Sequence, residues 1–227
     1  MTTLSRPLRL LLLGAPGSGK GTQTSKLLDK FSHINPLSSG DLLRTQIAAQ
    51  TPIGREASSY ITNGTLVPDM TMINLLAGEL DSRGWLSPNA SWLLDGFPRT
   101  AAQAHGLDTQ LAANACALNL VVELDVNEDV ILERIENRWI HLPSGRIYNL
   151  QYNPPRQPFT DDLTGEPLSK RDDDNAEVFK KRLVAYNEQL LPLKEFYDKQ
   201  GVLTKVSGDT SDIIFPKLAK LISSQYA

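Results

Sequence analysis

Gly14-Ala-Pro-Gly-Ser-Gly-Lys-Gly-Thr22 follows directly on the apolar run Leu10-Leu-Leu-Leu13. A short apolar strand, a glycine-rich turn and a helix-compatible stretch over 23–31 form the setting in which backbone N–H groups converge on phosphates and a lysine reaches the terminal ones. A bare strand-to-helix turn is the competing reading of a glycine cluster, and the apolar strand before it and the lysine within it argue against that. Gly14, Gly17, Gly19 and Gly21 are expected to supply positive φ and close approach to the anion, which a Cβ would block. Gly17, Ser18, Gly19, Lys20, Gly21 and Thr22 thus read as a phosphate-binding loop. In the common form of that loop a hydroxyl that ligates Mg²⁺ follows the lysine. Here Gly21 takes that place and Thr22 comes one residue late.

Outward from the loop, near-continuous apolar runs at 9–13, 91–95 and 117–126 have the character of strands covered on both faces. Weaker runs at 34–37 and 202–206 bring the expected total to five. Helical patterns fall between them, at 19–31, 39–49, 54–63, 69–83, 100–113, 127–137, 176–197 and 211–224. Strand and helix in alternation predict an α/β fold with a five-stranded parallel sheet flanked by helices. From 139 to 174 the alternation stops. Pro143, Pro154, Pro155, Pro158 and Pro167 punctuate a stretch rich in Gly, Asp and Arg with no helical period. So long an insert in a compact domain reads as a functional lid, with a disordered linker as the alternative, against which the apolar content of Tyr148, Tyr152 and Phe159 argues.

The chain has 227 residues, 41% of them apolar, which suits one domain with inserts. A net charge of −3 favours neither nucleic acid nor an acidic membrane as a partner. The longest apolar run near the start is four leucines, too short for a bilayer span or a secretory segment, so an intracellular protein is expected. Cys116 is the one cysteine; it excludes a disulfide framework and a cysteine-rich zinc site and reads as a small core residue. Arg6, Arg9, Lys20 and Lys26 precede any acid, the first being Asp29, which is compatible with import into an organelle.

A second constellation is Leu93-Leu-Asp-Gly-Phe-Pro-Arg-Thr100. Asp95 at a strand end can face Mg²⁺ directly or through water, and Arg99 after the turn is aimed into the cleft. Thr100 can cap the helix that follows, and Gln103, one turn in, can offer its amide to a nucleobase edge.

The form Gly-x-Pro-Gly-x-Gly-Lys-Gly-Thr resembles the nucleoside monophosphate kinases. With Leu37-Ser-Ser-Gly-Asp-Leu-Leu-Arg44, Gly64-Thr-Leu-Val-Pro-Asp69 and Leu94-Asp-Gly-Phe-Pro-Arg-Thr100, the resemblance narrows to the adenylate kinase family, nearly end to end. It implies a P-loop core of 1–37, 68–136 and 175–227, an NMP-binding lobe of 38–67 and a lid of 137–174. It implies phosphoryl transfer from a nucleoside triphosphate to AMP, with Mg²⁺ carried by the triphosphate and held at Asp95 through water. The catalytic set it implies is Lys20, Asp95, Arg99, Arg134, Arg138, Arg171 and Arg182. The loop residues, Arg138, Ile147, Tyr148 and Thr210 would bind the triphosphate. Ser39, Arg44, Thr65, Leu66, Val67, Gly96, Arg99, Gln103, Arg171 and Arg182 would bind AMP. Planar guanidinium forks that grip two oxygens suit a transferring phosphoryl group better than an ammonium.

Members of this family either bind zinc in the lid with four cysteines or replace it by a polar cluster. His141, Ser144, Asp161 and Thr164 stand at those places, and two hydroxyls are poor zinc ligands, so no zinc is expected. Arg138-Trp-Ile-His with Pro143-Ser-Gly-Arg-Ile-Tyr148, and Asp161-Asp-Leu-Thr-Gly-Glu-Pro167, are similar to family members that use GTP as donor and work in the mitochondrial matrix. An ATP-using enzyme, or a cytoplasmic one, is the alternative. A monomer binding GTP or ATP and AMP, with no nucleic acid or membrane partner, is the expectation. A nucleotide-dependent regulatory protein is the rival from another class. A GTPase switch would carry Asn-Lys-x-Asp, which is absent, and a silent binding module would lose some of the arginines, which are all here.

Overall fold

A computed structural model describes residues 2–31, 33–171 and 176–227. Its strands are β1 (Arg9–Leu13), β2 (Asn35–Ser38), β3 (Trp92–Asp95), β4 (Leu120–Asp125), β5 (Arg138–Ile140), β6 (Ile147–Asn149) and β7 (Leu203–Ser207). Its helices are α1 (Lys20–Lys30), α2 (Ser39–Ala48), α3 (Pro52–Asn63), α4 (Asp69–Ser82), α5 (Ala101–Ala113), α6 (Glu128–Glu136), α7 (Ala176–Lys199) and α8 (Ser211–Tyr226). Every expected element of the core is present, with ends moved by three residues or fewer. The largest shift is at β4, where 117–119 form a lead-in instead of ladder. Asn119 explains it, because its side-chain Oδ1 takes the Arg9 N–H at 2.8 Å and its Nδ2 donates to Pro7 O at 2.8 Å.

Five strands pair in parallel in the order β2-β3-β1-β4-β7. β2 carries Pro36, which donates no ladder bond and is tolerated because the strand lies at the sheet edge. The leucines of β1 serve two cores in alternation. Leu10 and Leu12 pack with Leu93 and Val122 against Leu27 of α1, Phe31 just past its end, and Leu218 and Ile222 of α8. Leu11 and Leu13 face the other way, with Leu94 and Val121, onto Leu76 and Leu80 of α4 and Leu107 and Leu111 of α5. Both faces are covered, which is why the strand reads as an unbroken apolar run. Cys116 is fully buried in the second of these cores.

Register positions the site. Leu12 and Ser38 both lie opposite Asp95, and Leu13 opposite Glu123. The glycine loop, the start of α2 and the turn after β3 therefore leave the sheet at one edge, the carboxyl end, where ligands of open parallel sheets bind.

Between α6 and α7 the chain forms an antiparallel β5–β6 pair with isolated bridges Ile140 to Ser169, Asn149 to Asn153 and Thr160 to Pro167. Tyr148 is buried there, whereas Tyr152 and Phe159 are about half exposed, with Phe159 tilted against Trp139 at 4.7 Å. Of the expected boundaries, residue 1, the lid end at 172–174 and the core restart at 175 lie outside the described residues. Among the described residues no helix is long and apolar enough to cross a membrane.

Candidate active site

The glycine loop joins β1 to α1. Gly17 and Gly19 have φ of +81° and +91°, and a Cβ on Gly17 would stand 2.9 Å from the side chains of Ile131 and Ile135, so side chains are barred on both counts. Gly21 departs from expectation. It lies inside α1 with no positive φ, and its missing Cβ makes room for Ile147 of the lid, 3.2 Å away. Lys20 Nζ donates to Gly14 O at 2.7 Å and Ala15 O at 3.0 Å, inside the loop itself. Burial, joined by the nearby Arg99, Arg182 and Arg138, lowers its pKa to about 8 against the pull of Asp95. Asp95 responds in the opposite sense. Burial raises its carboxyl above the usual range and Asp41 adds to that, while Lys20, Arg99 and Arg171 oppose it.

Two hollows share this edge. The larger cleft encloses about 1160 Å³, more than one ordinary ligand fills, and takes in the loop from Gly17 to Thr22, Asp95, Arg134, Arg138, Arg171, Arg182, Ile147, Tyr148 and Thr210. The smaller pocket is lined by Ser39, Arg44, Thr65, Leu66, Val67, Gly96, Arg99, Gln103 and Arg182. Arg171, also expected on that side, lines the larger cleft instead. Leu43, Ile61 and Met72 add an apolar wall to the smaller pocket that no motif had indicated. Ser39 Oγ is buried there with no protein partner. Thr100 caps α5 by accepting from Gln103 N at 3.0 Å, as expected. Gln103 is bound at both ends, to Arg99 N and to Asp69.

The arginines divide. Arg99, Arg138 and Arg182 all act on Lys20. Arg134 stands apart from them, donating to Asp209 O at 2.6 Å and Ser18 O at 3.4 Å with its guanidinium over the Tyr152 ring. Asp41, which the sequence reading had not singled out, bonds Arg44 in its own helix and lies 3.9 Å from Arg171. Burial works to raise its pKa, but Arg44, Ser38 and Arg171 together hold it below the usual value. Its spacing of three from Arg44 on a helix was the signal available.

In the insert between α6 and α7, His141 and Asp161 begin twin turns. His141 O accepts from Gly145 N and Asp161 O from Gly165 N, each at 2.9 Å, and both glycines have φ near +70°. The two turns meet. His141 Nδ1 is 2.7 Å from Ser144 Oγ, and Asp161 accepts from the Thr164 amide and hydroxyl at 2.9 Å each. Three further partners were missed by the sequence reading. Arg146 grips both Asp161 oxygens, the Tyr148 hydroxyl donates to Asp161 Oδ1 at 2.9 Å, and Glu166 Oε2 lies 2.6 Å from His141 Nε2. Tyr148 thus lines the cleft while its hydroxyl bonds Asp161. Among the described residues no three His, Cys, Asp or Glu side chains converge as metal ligands.

A family model described as adenylate kinase matches residues 12–202. The chain is 60% identical over 226 residues to a mitochondrial GTP:AMP phosphotransferase of Saccharomyces cerevisiae, covering 100% of this chain and 97% of that protein. It is 44% identical over 198 residues to an adenylate kinase of Sclerotinia sclerotiorum, covering 87% of this chain and 71% of that protein. A similar likeness, 44% over 200 residues, holds to an adenylate kinase of Aspergillus oryzae, with 88% of this chain and 76% of that protein covered.

Proposed function

The chain belongs to the adenylate kinase family, and from that premise we propose that it moves the γ-phosphoryl group of GTP to AMP, giving GDP and ADP. The observation that carries this reading is the meeting of two hollows at one cluster of Lys20, Asp95, Arg99 and Arg182. AMP belongs in the smaller pocket and the triphosphate in the larger cleft, along the glycine loop. An oxygen of the AMP phosphate attacks the γ-phosphorus in line as the bond to the β–γ bridging oxygen breaks, and no protein nucleophile is needed. Lys20 leaves the Gly14 and Ala15 carbonyls to follow the moving charge. Arg99, Arg138, Arg171 and Arg182 hold the equatorial oxygens, and the loop amides hold the β-phosphate. Arg134, bound to the 209 carbonyl and under Tyr152, serves the donor side more than the transferring group.

Mg²⁺ carried by the triphosphate fits this site, because it asks the protein for only one or two carboxylates, and Asp95 presents one in the cleft, which the unpartnered Ser18 hydroxyl also lines. It supplies charge neutralisation on the phosphates. The lid, 137–174, closes over the cleft without zinc, held by hydrogen bonds around Asp161, and excludes water that would hydrolyse the triphosphate. Residues 38–67 act as the AMP lobe on the core of 1–37, 68–136 and 175–227. The reading is completed by a monomer acting on GTP or ATP and AMP, with no nucleic-acid or membrane partner; the net charge of −3 favours neither of these.

Preference for GTP over ATP is supported by the 60% identity to the yeast GTP:AMP phosphotransferase against 44% to fungal adenylate kinases. The same likeness, with the unopposed basic residues before Asp29, supports work in the mitochondrial matrix. Guanine and adenine present opposite donor and acceptor patterns, so a dry base site separates them strongly. Measuring kcat/KM for GTP, ITP and ATP at fixed AMP is the test. A ratio that favours ATP overturns the donor assignment and leaves the transfer chemistry standing.

A further inference from the structure

The Gln103 side chain, almost wholly buried at the first turn of α5, is held from both ends. Oε1 accepts from the Arg99 backbone N–H at 2.7 Å, and Nε2 donates to Asp69 Oδ1 at 2.9 Å. A backbone N–H can only donate and an ionised carboxylate can only accept, so these partners admit one orientation of the amide and exclude its flip. Asp69 is itself fixed. It begins α4, and the same Oδ1 accepts from Thr100 Oγ1 at 3.0 Å, the hydroxyl that caps α5.

We propose that Asp69 is a positioning residue for choice of the acceptor base: by taking one N–H of Gln103 it fixes which edge of the amide the smaller pocket offers. A carboxamide free to flip is ambivalent. Adenine presents a donor at N6 beside an acceptor at N1, whereas hypoxanthine presents an acceptor at O6 beside a donor at N1. Each pairs with the amide in one order of its oxygen and nitrogen, and a half-turn of the amide exchanges the two. Locked between Arg99 and Asp69, Gln103 keeps one remaining N–H and one remaining lone pair in a single order, and a base of the other pattern leaves buried groups unpaired. The inference rests on reading the smaller pocket as the AMP site.

The experiment measures kcat/KM for AMP and for IMP at saturating GTP, with melting temperatures, in the parent protein and in Asp69→Ala, Asp69→Asn, Gln103→Ala and the double alanine variant. The AMP-to-IMP ratio should fall about tenfold in Asp69→Ala, as loss of one charge-assisted hydrogen bond allows. Asp69→Asn keeps an acceptor oxygen and should hold the ratio within about threefold of the parent. In the Gln103→Ala background, Asp69→Ala should move the ratio no further. If Asp69→Ala does not fold, Asp69→Leu withdraws the acceptor while keeping side-chain bulk, and the same fall is expected. A fall in both kcat/KM values with the ratio unmoved would mean a purely structural Asp69 and overturn the proposal. Collapse of the ratio in Gln103→Ala but not in Asp69→Ala overturns the positioning role and leaves the pocket assignment intact. An unchanged AMP KM and ratio in Gln103→Ala overturns the pocket assignment itself, and the proposal with it.

Discussion

Arg146 grips both carboxylate oxygens of Asp161, Nε to Oδ1 at 2.8 Å and Nη2 to Oδ2 at 2.6 Å. This fork joins the two turns of the lid, one starting at His141 and the other at Asp161. Around it the Tyr148 hydroxyl and the Thr164 amide and hydroxyl complete the shell of Asp161. A buried carboxylate so surrounded is stable only while it is charged.

Acid should therefore loosen the lid. The Arg146 hydrogen bonds, followed by those from Thr164 and Tyr148, hold the Asp161 carboxyl well below the usual range against the effect of burial. The folded chain then binds that proton more weakly than the unfolded chain, so the stabilisation is complete above the ordinary carboxylate pKa of about 4 and is lost as pH falls below it. Melting temperatures from pH 7 to pH 3 should be level at first and drop below about pH 4. Asp161→Asn should start lower and show a shallower drop. An equal acid slope in both proteins would remove Asp161 from this role.

The lid should also be indifferent to chelators. Its donors and acceptors satisfy one another, so treatment with a strong zinc chelator should leave the melting temperature where it was. Finding one zinc per chain by elemental analysis would contradict this.

Lys20→Met should lower kcat by at least about 10²-fold, or about 3 kcal/mol, the scale seen when one transition-state donor is removed from a dry site. Near-normal turnover by folded variant protein would refute the role. The pKa of about 8 adds a pH signature. The ammonium is the active form and prevails below that value, so kcat/KM for the triphosphate should decline as pH rises through about 8. The decline in kcat should come at higher pH, because bound phosphates favour the charged form.

Arg44→Ala should raise the apparent KM for AMP and leave that for the triphosphate nearly unchanged, as loss of binding common to ground and transition states does. Asp41 loses its nearest cation in the same variant and keeps only the more distant Arg171, so Asp41→Asn with Arg44→Ala is the control for a less compensated carboxylate. A rise in the triphosphate KM instead would exchange the two sites.

By itself the sequence determined the parts whose physics is local. A leucine run followed by glycines and a lysine is a strand, a loop and a helix start, because neighbours along the chain set those conformations. Proline and glycine density marked the insert between α6 and α7, and the order of strands and helices settled a parallel sheet. Only the tertiary structure decided which polar groups meet. Glu166 reaches His141 across 25 positions, Asp69 reaches Gln103 across 34, and no periodicity connects either pair. Gly21 shows the same limit: its want of a side chain read as backbone freedom, and what the structure shows there is the close approach of Ile147 from between α6 and α7. Such contacts depend on how separate elements are brought together by burying their apolar faces, and that information is spread over the whole core.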